Sequence, residues 1–251
     1  MMRRLAFSLI LILCLAALCV AQKREEVLVA KIFKGAQGRT MPYRLYVPEN
    51  YDKQKKYPLV LYLHGGGGRG DDNRRQIEGG NSYLVDLLVS RSTQTKNPSI
   101  VVVPQSPDEG WVGPDLITPT SYLNLVLELI EDLETLYSVD VNRRYVLGQS
   151  MGGFGTFAIL TMSPHMFAAA VPLCGGGDES KAAQIAHVPI WAFHGELDHA
   201  VNVARSRNMI EALKKAGGKP KYTEYKGEGH AIWTRVVMEP ELLPWMFSQK
   251  H

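Results

Sequence analysis

The chain is predicted to fold as an α/β domain, in which helices flank a mostly parallel central sheet. Short apolar runs alternate with helical patterns to the end of the chain, and this alternation is typical of that architecture. Several runs consist almost wholly of Val, Ile, Leu and Phe, as expected of strands buried on both faces of a parallel sheet. Because every connection is short, we expect residues 22–251 to form a single domain without a large lid.

The apolar runs predict eight strands. The first two, residues 27–33 and 43–47, alternate in polarity and are expected to enter the sheet as antiparallel strands. The core strands are expected at residues 59–63, 100–103, 145–147, 167–173, 190–193 and 221–225.

Three segments between or after these strands give clear helical patterns. Residues 121–137 place apolar side chains on one face and acidic ones mostly on the other, a face that we expect to be solvated. Residues 203–216 end at Gly217-Gly218, which is a helix stop signal. A last helix is expected near residues 241–249.

The composition is that of an ordinary globular domain. Of the 251 residues, 45% are hydrophobic and 21% charged, which is enough apolar chain for one sizeable core. The formal net charge of +3 is small and is not clustered. Because no basic patch is interleaved with aromatic residues, we expect no nucleic-acid partner.

The N-terminal residues 1–21 differ from the rest of the chain. Two arginines precede an apolar stretch, residues 5–20, that ends in small residues. This pattern predicts a secretory signal peptide cleaved after Ala21, and therefore a secreted or periplasmic protein without stable membrane insertion after cleavage. Two alternatives stay open: an uncleaved anchor, for which the apolar run is short, and a lipoprotein modified at Cys19.

The predicted mature chain has too few cysteines to be stabilised by a disulfide. Cys14 and Cys19 lie in the predicted signal, so the mature chain keeps Cys174 alone and can form no intramolecular disulfide. Cys174 ends an apolar run and is expected to be a buried, inert side chain. No group of cysteines and histidines has the spacing of a zinc site. We expect neither a metal nor an organic cofactor.

Residues 148–152, Gly-Gln-Ser-Met-Gly, carry the strongest functional signal. They fit G-x-S-x-G, follow a strand-like segment at 144–147 and precede a helix start at 153–160. A strand, a tight turn and a helix with Ser150 at the apex form the nucleophile elbow of α/β-hydrolases. Three fixed positions alone arise by chance, but the flanking strand and helix favour a nucleophilic Ser150.

A serine hydroxyl needs a base within hydrogen-bond reach. In this fold the acid and the histidine follow the serine in that order. His230 comes after the last core strand in Gly-Glu-Gly-His, a loop suited to carrying the imidazole over Ser150. Asp198, after the preceding strand, is predicted to orient His230. Glu196 is the alternative acid, and Asp178 is a more distant one.

A glycine-rich segment supplies the remaining component of such a site. Residues 63–68 read Leu-His-Gly-Gly-Gly-Gly and follow a predicted strand. Such a loop predicts an oxyanion hole, with the Gly66 N–H partnered by that of Met151. A phosphate cradle is the competing interpretation. It is disfavoured because no Gly-Lys-Ser/Thr follows and no G-x-G-x-x-G spacing fits.

Together these motifs resemble the compact phospholipase/carboxylesterase branch of the α/β-hydrolases. Within it the chain is most similar to secreted bacterial "predicted peptidase" and feruloyl or acetyl-xylan esterase-like members, from about Val27 to the C-terminus. In that family Pro and Val often follow the acid, whereas here His199-Ala200-Val201 does, so the pocket wall is expected to differ. The resemblance is carried by His64 to Gly68, Asp71-Asp72-Asn73, Pro104-Gln105-Ser106, Trp111, Gly148 to Gly153, His194-Gly195 with Asp198, and Gly229-His230 with Trp233.

We therefore predict a secreted serine carboxylic-ester hydrolase that acts through an acyl-enzyme. Trp111 and Trp233 are predicted to bind substrate by stacking on an aromatic or sugar ring; core packing is the alternative for both. The expected partners are small-molecule or polysaccharide esters, including acetyl or hydroxycinnamoyl esters of plant polysaccharides. Two other functions stay open: a serine peptidase on short peptides, and a non-catalytic carbohydrate-binding protein on a hydrolase scaffold. The sequence leaves the oligomeric state undetermined.

Overall fold

The computed structural model describes residues 24–251, and the predicted signal segment 1–21 lies outside them. Those residues build one eight-stranded sheet. Its strands are β1 Val29–Lys34, β2 Thr40–Tyr46, β3 Tyr57–Leu63, β4 Ile100–Pro104, β5 Val139–Gln149, β6 Ala169–Leu173, β7 Trp191–Gly195 and β8 Lys221–Tyr225.

Helices connect these strands, and a helical turn at residues 24–27 precedes β1. They are α1 Ser82–Val89, α2 Arg91–Lys96, α3 Ser121–Leu136, α4 Met151–Met162, α5 Ala182–Ile185, α6 Ala204–Lys215, α7 Trp233–Val236 and α8 Leu242–Ser248. Short 3-10 turns lie at Gly66–Gly68, Arg75–Ile77, Gly79–Asn81 and Glu179–Lys181. Within the part of the chain that the structure describes, no helix is long and apolar enough to cross a bilayer.

The strand order across the sheet is β1-β2-β4-β3-β5-β6-β7-β8. The strands β1 and β2 pair antiparallel with each other, and β2 also pairs antiparallel with β4. From β3 onward all strands run parallel. The predicted α/β class, the mostly parallel sheet and the antiparallel entry strands are therefore confirmed.

Two hydrophobic clusters cover the two faces of the sheet. In β3 the side chains of Leu59, Leu61 and Leu63 pack in one cluster. Val60 and Tyr62 pack in the other. Because successive side chains of a strand point to opposite faces, a strand buried on both sides has to be apolar throughout. This explains why β3 reads as a continuous apolar run.

The structure extends β5 well beyond the predicted residues 145–147. Its first half is polar and partly exposed, so it lacks the apolar signal of a core strand. It is held instead by pairing with β3, where Tyr57 is opposite Val139 before the register shifts. The helices α1 and α2 were not predicted from the sequence either. Helix α2 is polar and begins where the Ser90 hydroxyl accepts a hydrogen bond from the Thr93 N–H.

The turn between β5 and α4 is strained and tightly packed. Ser150 has φ 55° and ψ −118°, a conformation that L-residues rarely adopt. A Cβ at Gly148 would overlap the backbone of Gly152, and a Cβ at Gly152 would overlap the carbonyl oxygen of Leu63. The serine is therefore raised on a turn that only glycines can flank.

Replacing Gly152 by Ala tests this packing. The new methyl group would overlap a backbone oxygen of β3, which cannot rotate away, so we expect a loss of about 3 kcal/mol or more in the free energy of unfolding. Chemical denaturation followed by circular dichroism measures it. Gly67→Ala is the matched control, because a Cβ at Gly67 meets nothing within 4 Å. Equal unfolding midpoints for the two variants would contradict the argument.

Candidate active site

Three predicted residues meet at the carboxyl edge of the parallel strands. Ser150 lies between β5 and α4, Asp198 follows β7 and His230 follows β8. The carboxyl ends of parallel strands share one edge of a sheet, so loops distant in sequence converge there. The serine and histidine that meet are 80 residues apart, and the aspartate and histidine are 32 apart.

The geometry of this group is that of a nucleophile, a base and an orienting acid. His230 Nε2 lies 2.9 Å from Ser150 Oγ. On the other side of the ring, Nδ1 lies 2.6 Å from Asp198 Oδ2. Because a carboxylate can only accept, the Nδ1 atom carries the ring proton and Nε2 is left to accept from the serine hydroxyl. This arrangement can withdraw the proton of Ser150 as its oxygen attacks an electrophile.

Asp198 is held as a carboxylate in a buried place. Its side chain is fully buried, and Oδ1 accepts hydrogen bonds from the N–H groups of Ala200 at 2.9 Å and Val201 at 2.8 Å. Burial alone would raise the pKa of Asp198. The hydrogen bond from His230 and those from the two backbone N–H groups outweigh it and leave the pKa below its usual value. Asp198 therefore stays ionised opposite the imidazole.

The two loops that carry the acid and the base are joined to each other. The N–H of Leu197 donates to the Glu228 carbonyl at 2.8 Å. A Cβ at Gly195 would overlap the Gly229 carbonyl oxygen, so glycine is needed where the loops touch. This close contact sets the position of His230 relative to the acid loop.

The two alternative acids lie elsewhere. Glu196 Oε2 accepts from the N–H of Gly227 at 2.9 Å and braces the base of the histidine loop. Asp178 caps a 3-10 turn by accepting from the N–H and hydroxyl of Ser180. Of the three carboxylates considered, the structure brings only Asp198 to His230.

The glycine loop after β3 lies beside the serine turn. Within it, Gly65 donates its N–H to Asn81 Oδ1 at 2.8 Å. The N–H groups of Gly66 and Met151 have no hydrogen-bond partner among residues 24–251. These are the two N–H groups predicted to receive an oxyanion, and both remain candidates for that role.

Trp111 does not line the site, so the prediction that it binds substrate is wrong. Its ring is 0% exposed, and Nε1 donates to the carbonyl oxygen of His64 at 3.0 Å. The two rings pack with centroids 4.9 Å apart. Burial lowers the pKa of His64 to about 4 and keeps it neutral, and its Nε2 accepts from the Ser106 N–H at 3.0 Å. Trp111 thus supports the glycine loop from below.

Trp233 is half-buried and lies next to the base. Its ring meets that of His230 edge to face, with centroids 5.3 Å apart and an interplanar angle of 86°. Its indole also faces Gly80, at which a Cβ would lie 3.1 Å from Trp233 Nε1. Contact with substrate at Trp233 stays a prediction.

Among the described residues, one group of possible metal ligands lies behind the triad. The ligand atoms of Cys174, His194 and Asp198 are all within 4.8 Å of one another. Each is already engaged: Cys174 Sγ donates to the His230 carbonyl at 3.4 Å, and the His194 ring contacts Ser206 Oγ at 2.7 Å and the Val201 carbonyl at 3.0 Å. Burial raises the pKa of the Cys174 thiol well above its usual range. The group is therefore a hydrogen-bonded support for Asp198.

Two polar residues that contact this site were not predicted from the sequence. His194 Nε2 lies 3.1 Å from Asp198 Oδ2, although the residue itself belongs to β7. Asn81, which holds Gly65, comes from a Gly-Gly-Asn segment without a recognisable motif. The only available signal was the His194-Gly195 pair before the acid, and no spacing rule points to Asn81.

Comparison with known proteins finds esterases among the relatives of this chain. A probable feruloyl esterase C from Aspergillus flavus is 29% identical over 71% of this chain and 65% of its own length. A bifunctional acetylxylan esterase/xylanase from Neocallimastix patriciarum is 29% identical over 80% of this chain and 29% of its own. The crystal structure of a thermostable esterase has a TM-score of 0.86 and 36% identity, covering 90% of this chain and 64% of that one. The chain thus spans less than two thirds of each relative.

The strand order and the strained serine turn define the class of the protein as an α/β-hydrolase. The model of the dienelactone hydrolase family matches residues 112–237, which are 126 of the 251 residues. The chain belongs to the dienelactone hydrolase family, and the predicted resemblance is confirmed.

Truncating Trp111 separates a structural role from substrate binding. Because the buried indole packs on His64, Trp111→Ala is expected to lower the free energy of unfolding by about 3–5 kcal/mol. Thermal and urea unfolding measure the loss. Trp233→Ala is the comparison, since that ring is half-buried and should cost clearly less. Unfolding energies reduced equally in both variants would argue against the buried role of Trp111.

Proposed function

We propose that this protein is a secreted serine carboxylic-ester hydrolase that works through an acyl-enzyme. The observation that carries the proposal is the continuous arrangement of Ser150, His230 and Asp198, with 2.9 Å and 2.6 Å between successive polar atoms. Esterase relatives and membership of a hydrolase family support the reaction class.

In the proposed mechanism Ser150 Oγ attacks the ester carbonyl while His230 Nε2 takes the hydroxyl proton. Asp198 keeps the ring in the correct tautomer and stabilises the imidazolium that forms. His230 then donates the proton to the leaving alcohol. A water molecule repeats the sequence on the acyl-enzyme, releasing the carboxylic acid and restoring Ser150.

The negative oxygen of each tetrahedral intermediate is assigned to the N–H groups of Gly66 and Met151. Both N–H groups lack a protein partner within residues 24–251, so they need lose no existing hydrogen bond when the oxyanion forms. One such donor typically supplies about 2.7–4 kcal/mol of transition-state stabilisation.

Acetyl or hydroxycinnamoyl esters of plant polysaccharides are the proposed substrates. The support is the feruloyl esterase and acetylxylan esterase names of the relatives. Export, indicated by the pattern of residues 1–21, would bring the enzyme to polymers outside the cell. In this proposal Trp233, beside the base, offers a face to a phenolic or sugar ring.

Removing the nucleophile tests the reaction class. Ser150→Ala should lower kcat for p-nitrophenyl acetate by at least about 10⁴-fold with the fold intact, because no other group can form the acyl-enzyme. It should also abolish fluorophosphonate labelling seen by mass spectrometry. Ser163→Ala, at the far end of α4, is the control and should keep full activity. Near wild-type turnover or labelling in Ser150→Ala would refute the assignment.

A substrate panel tests the proposed ester class. We expect turnover of acetylated xylan or methyl ferulate to exceed that of a long-chain triglyceride or a peptide anilide. In Trp233→Leu, KM for methyl ferulate should rise about two- to tenfold relative to p-nitrophenyl acetate, since an aromatic contact is worth about 0.5–1.5 kcal/mol. Trp245→Leu is the matched control, because Trp245 packs against Trp191. Preference for triglyceride or peptide, or equal KM changes on both esters, would count against the proposal.

A further inference from the structure

A network of hydrogen-bonded, buried polar side chains lies beneath the candidate site. The Tyr62 hydroxyl donates to Gln149 Oε1 at 2.8 Å. Gln149 Nε2 donates to Asn81 Oδ1 at 3.2 Å, and the Gly65 N–H donates to the same oxygen at 2.8 Å. Tyr62, Gln149 and Asn81 are at most 4% exposed. These three residues lie in β3, β5 and the Gly79–Asn81 turn, so the hydrogen-bond network joins three separate segments.

Asn81 is the branching point of this hydrogen-bond network. Its oxygen accepts two hydrogen bonds, which uses both lone pairs, and its Nδ2 donates to the Arg75 carbonyl at 3.2 Å. Each side-chain polar atom of Tyr62, Gln149 and Asn81 has a hydrogen-bond partner, and rotating the Asn81 amide would leave a buried donor or acceptor without one. The Asn81 oxygen therefore holds a defined position under the loops.

The two donors that meet on Asn81 directly precede the two key parts of the site. Gly65 comes before Gly66, whose N–H is a candidate oxyanion donor. Gln149 comes before Ser150, the candidate nucleophile. One oxygen atom thus relates the glycine loop to the serine turn. Because the Asn81 oxygen occupies the Gly65 N–H, that N–H is not available to a ligand, whereas the Gly66 N–H has no partner among residues 24–251.

The same short turn also contacts the base. Gly80 lies against the indole of Trp233, where a Cβ would come 3.1 Å from Nε1, and that indole meets the His230 ring edge to face. The Gly79–Asn81 turn therefore contacts Gly65, Gln149 and Trp233, which adjoin the candidate oxyanion donor, nucleophile and base respectively.

We propose that Asn81 is a positioning residue that sets the register between the oxyanion loop and Ser150. The assignment rests on the proposed function, since it concerns an oxyanion formed during ester hydrolysis. Asn81 acts through Gly65 and Gln149. Its loss should reduce stabilisation of the transition state more than substrate binding, lowering kcat with little change in KM.

The diagnostic measurement compares p-nitrophenyl acetate with its thionoester, in which sulfur replaces the carbonyl oxygen. Sulfur is a weak hydrogen-bond acceptor, so an oxyanion hole accelerates the ester far more than the thionoester. Asn81→Leu keeps the approximate shape without the acceptor. We expect its kcat on the ester to fall on the order of 10- to 100-fold. The ratio of kcat on the ester to kcat on the thionoester should fall by about tenfold or more.

Tyr62→Phe provides a second, milder variant that leaves the loops untouched. It removes the hydrogen bond of the network that lies farthest from Gly65, so the ratio of kcat on the ester to kcat on the thionoester should fall by about two- to tenfold. Gln94→Ala is the matched control. Gln94 is also an amide that joins backbone segments, donating to Leu88 and accepting from Ser99, but it lies in α2. Its loss should lower the melting temperature while leaving the ratio unchanged.

The outcomes distinguish this assignment from the proposed function. A wild-type protein without ester hydrolysis that depends on Ser150 overturns the proposed function and the assignment with it. An active wild type whose ratio is unchanged in Asn81→Leu overturns the assignment alone, as does a proportional loss on both substrates. If Asn81→Leu does not fold, Tyr62→Phe decides: a lowered ratio supports the assignment and an unchanged one overturns it.

Discussion

The contact between the serine turn and the end of β3 is the constraint on which the rest of the site depends. Gly152 lies so close to the Leu63 carbonyl that no side chain fits between them. This contact places the start of α4 directly beside the glycine loop that follows Leu63, and Ser150, in the turn before α4, has a positive φ. Nucleophile and candidate oxyanion donors are neighbours because two backbones touch.

The backbone strain at Ser150 needs support from its surroundings. Part of it comes from the Ser150 N–H, which donates to the Leu173 carbonyl of β6 at 2.8 Å. A similar contact, between Gly195 and Gly229, joins the acid loop to the histidine loop. In both places a glycine lets two backbones approach, and the candidate catalytic side chains lie in the loops that follow parallel strands. These backbone contacts therefore help to fix the geometry of the site.

Buried polar groups complete this arrangement from below. His64 and Trp111 support the glycine loop, His194 and Cys174 lie behind Asp198, and Asn81 joins the loop to the elbow. Each would be costly without its partners, because an unpaired polar group in a core loses its hydration without compensation. Together they specify one arrangement of the loops.

The sequence by itself determined the fold class, the entry strands and the serine turn, and it predicted His230 with Asp198 while leaving Glu196 and Asp178 as alternative acids. These follow from local patterns: strand periodicity, glycine spacing around a serine, and the chain order of loops at one sheet edge. Only the tertiary structure decided that Trp111 is buried, that β5 begins at Val139 and that Asn81 holds Gly65. Each of these depends on partners from distant segments, and a local pattern carries no information about which distant backbone will lie against it.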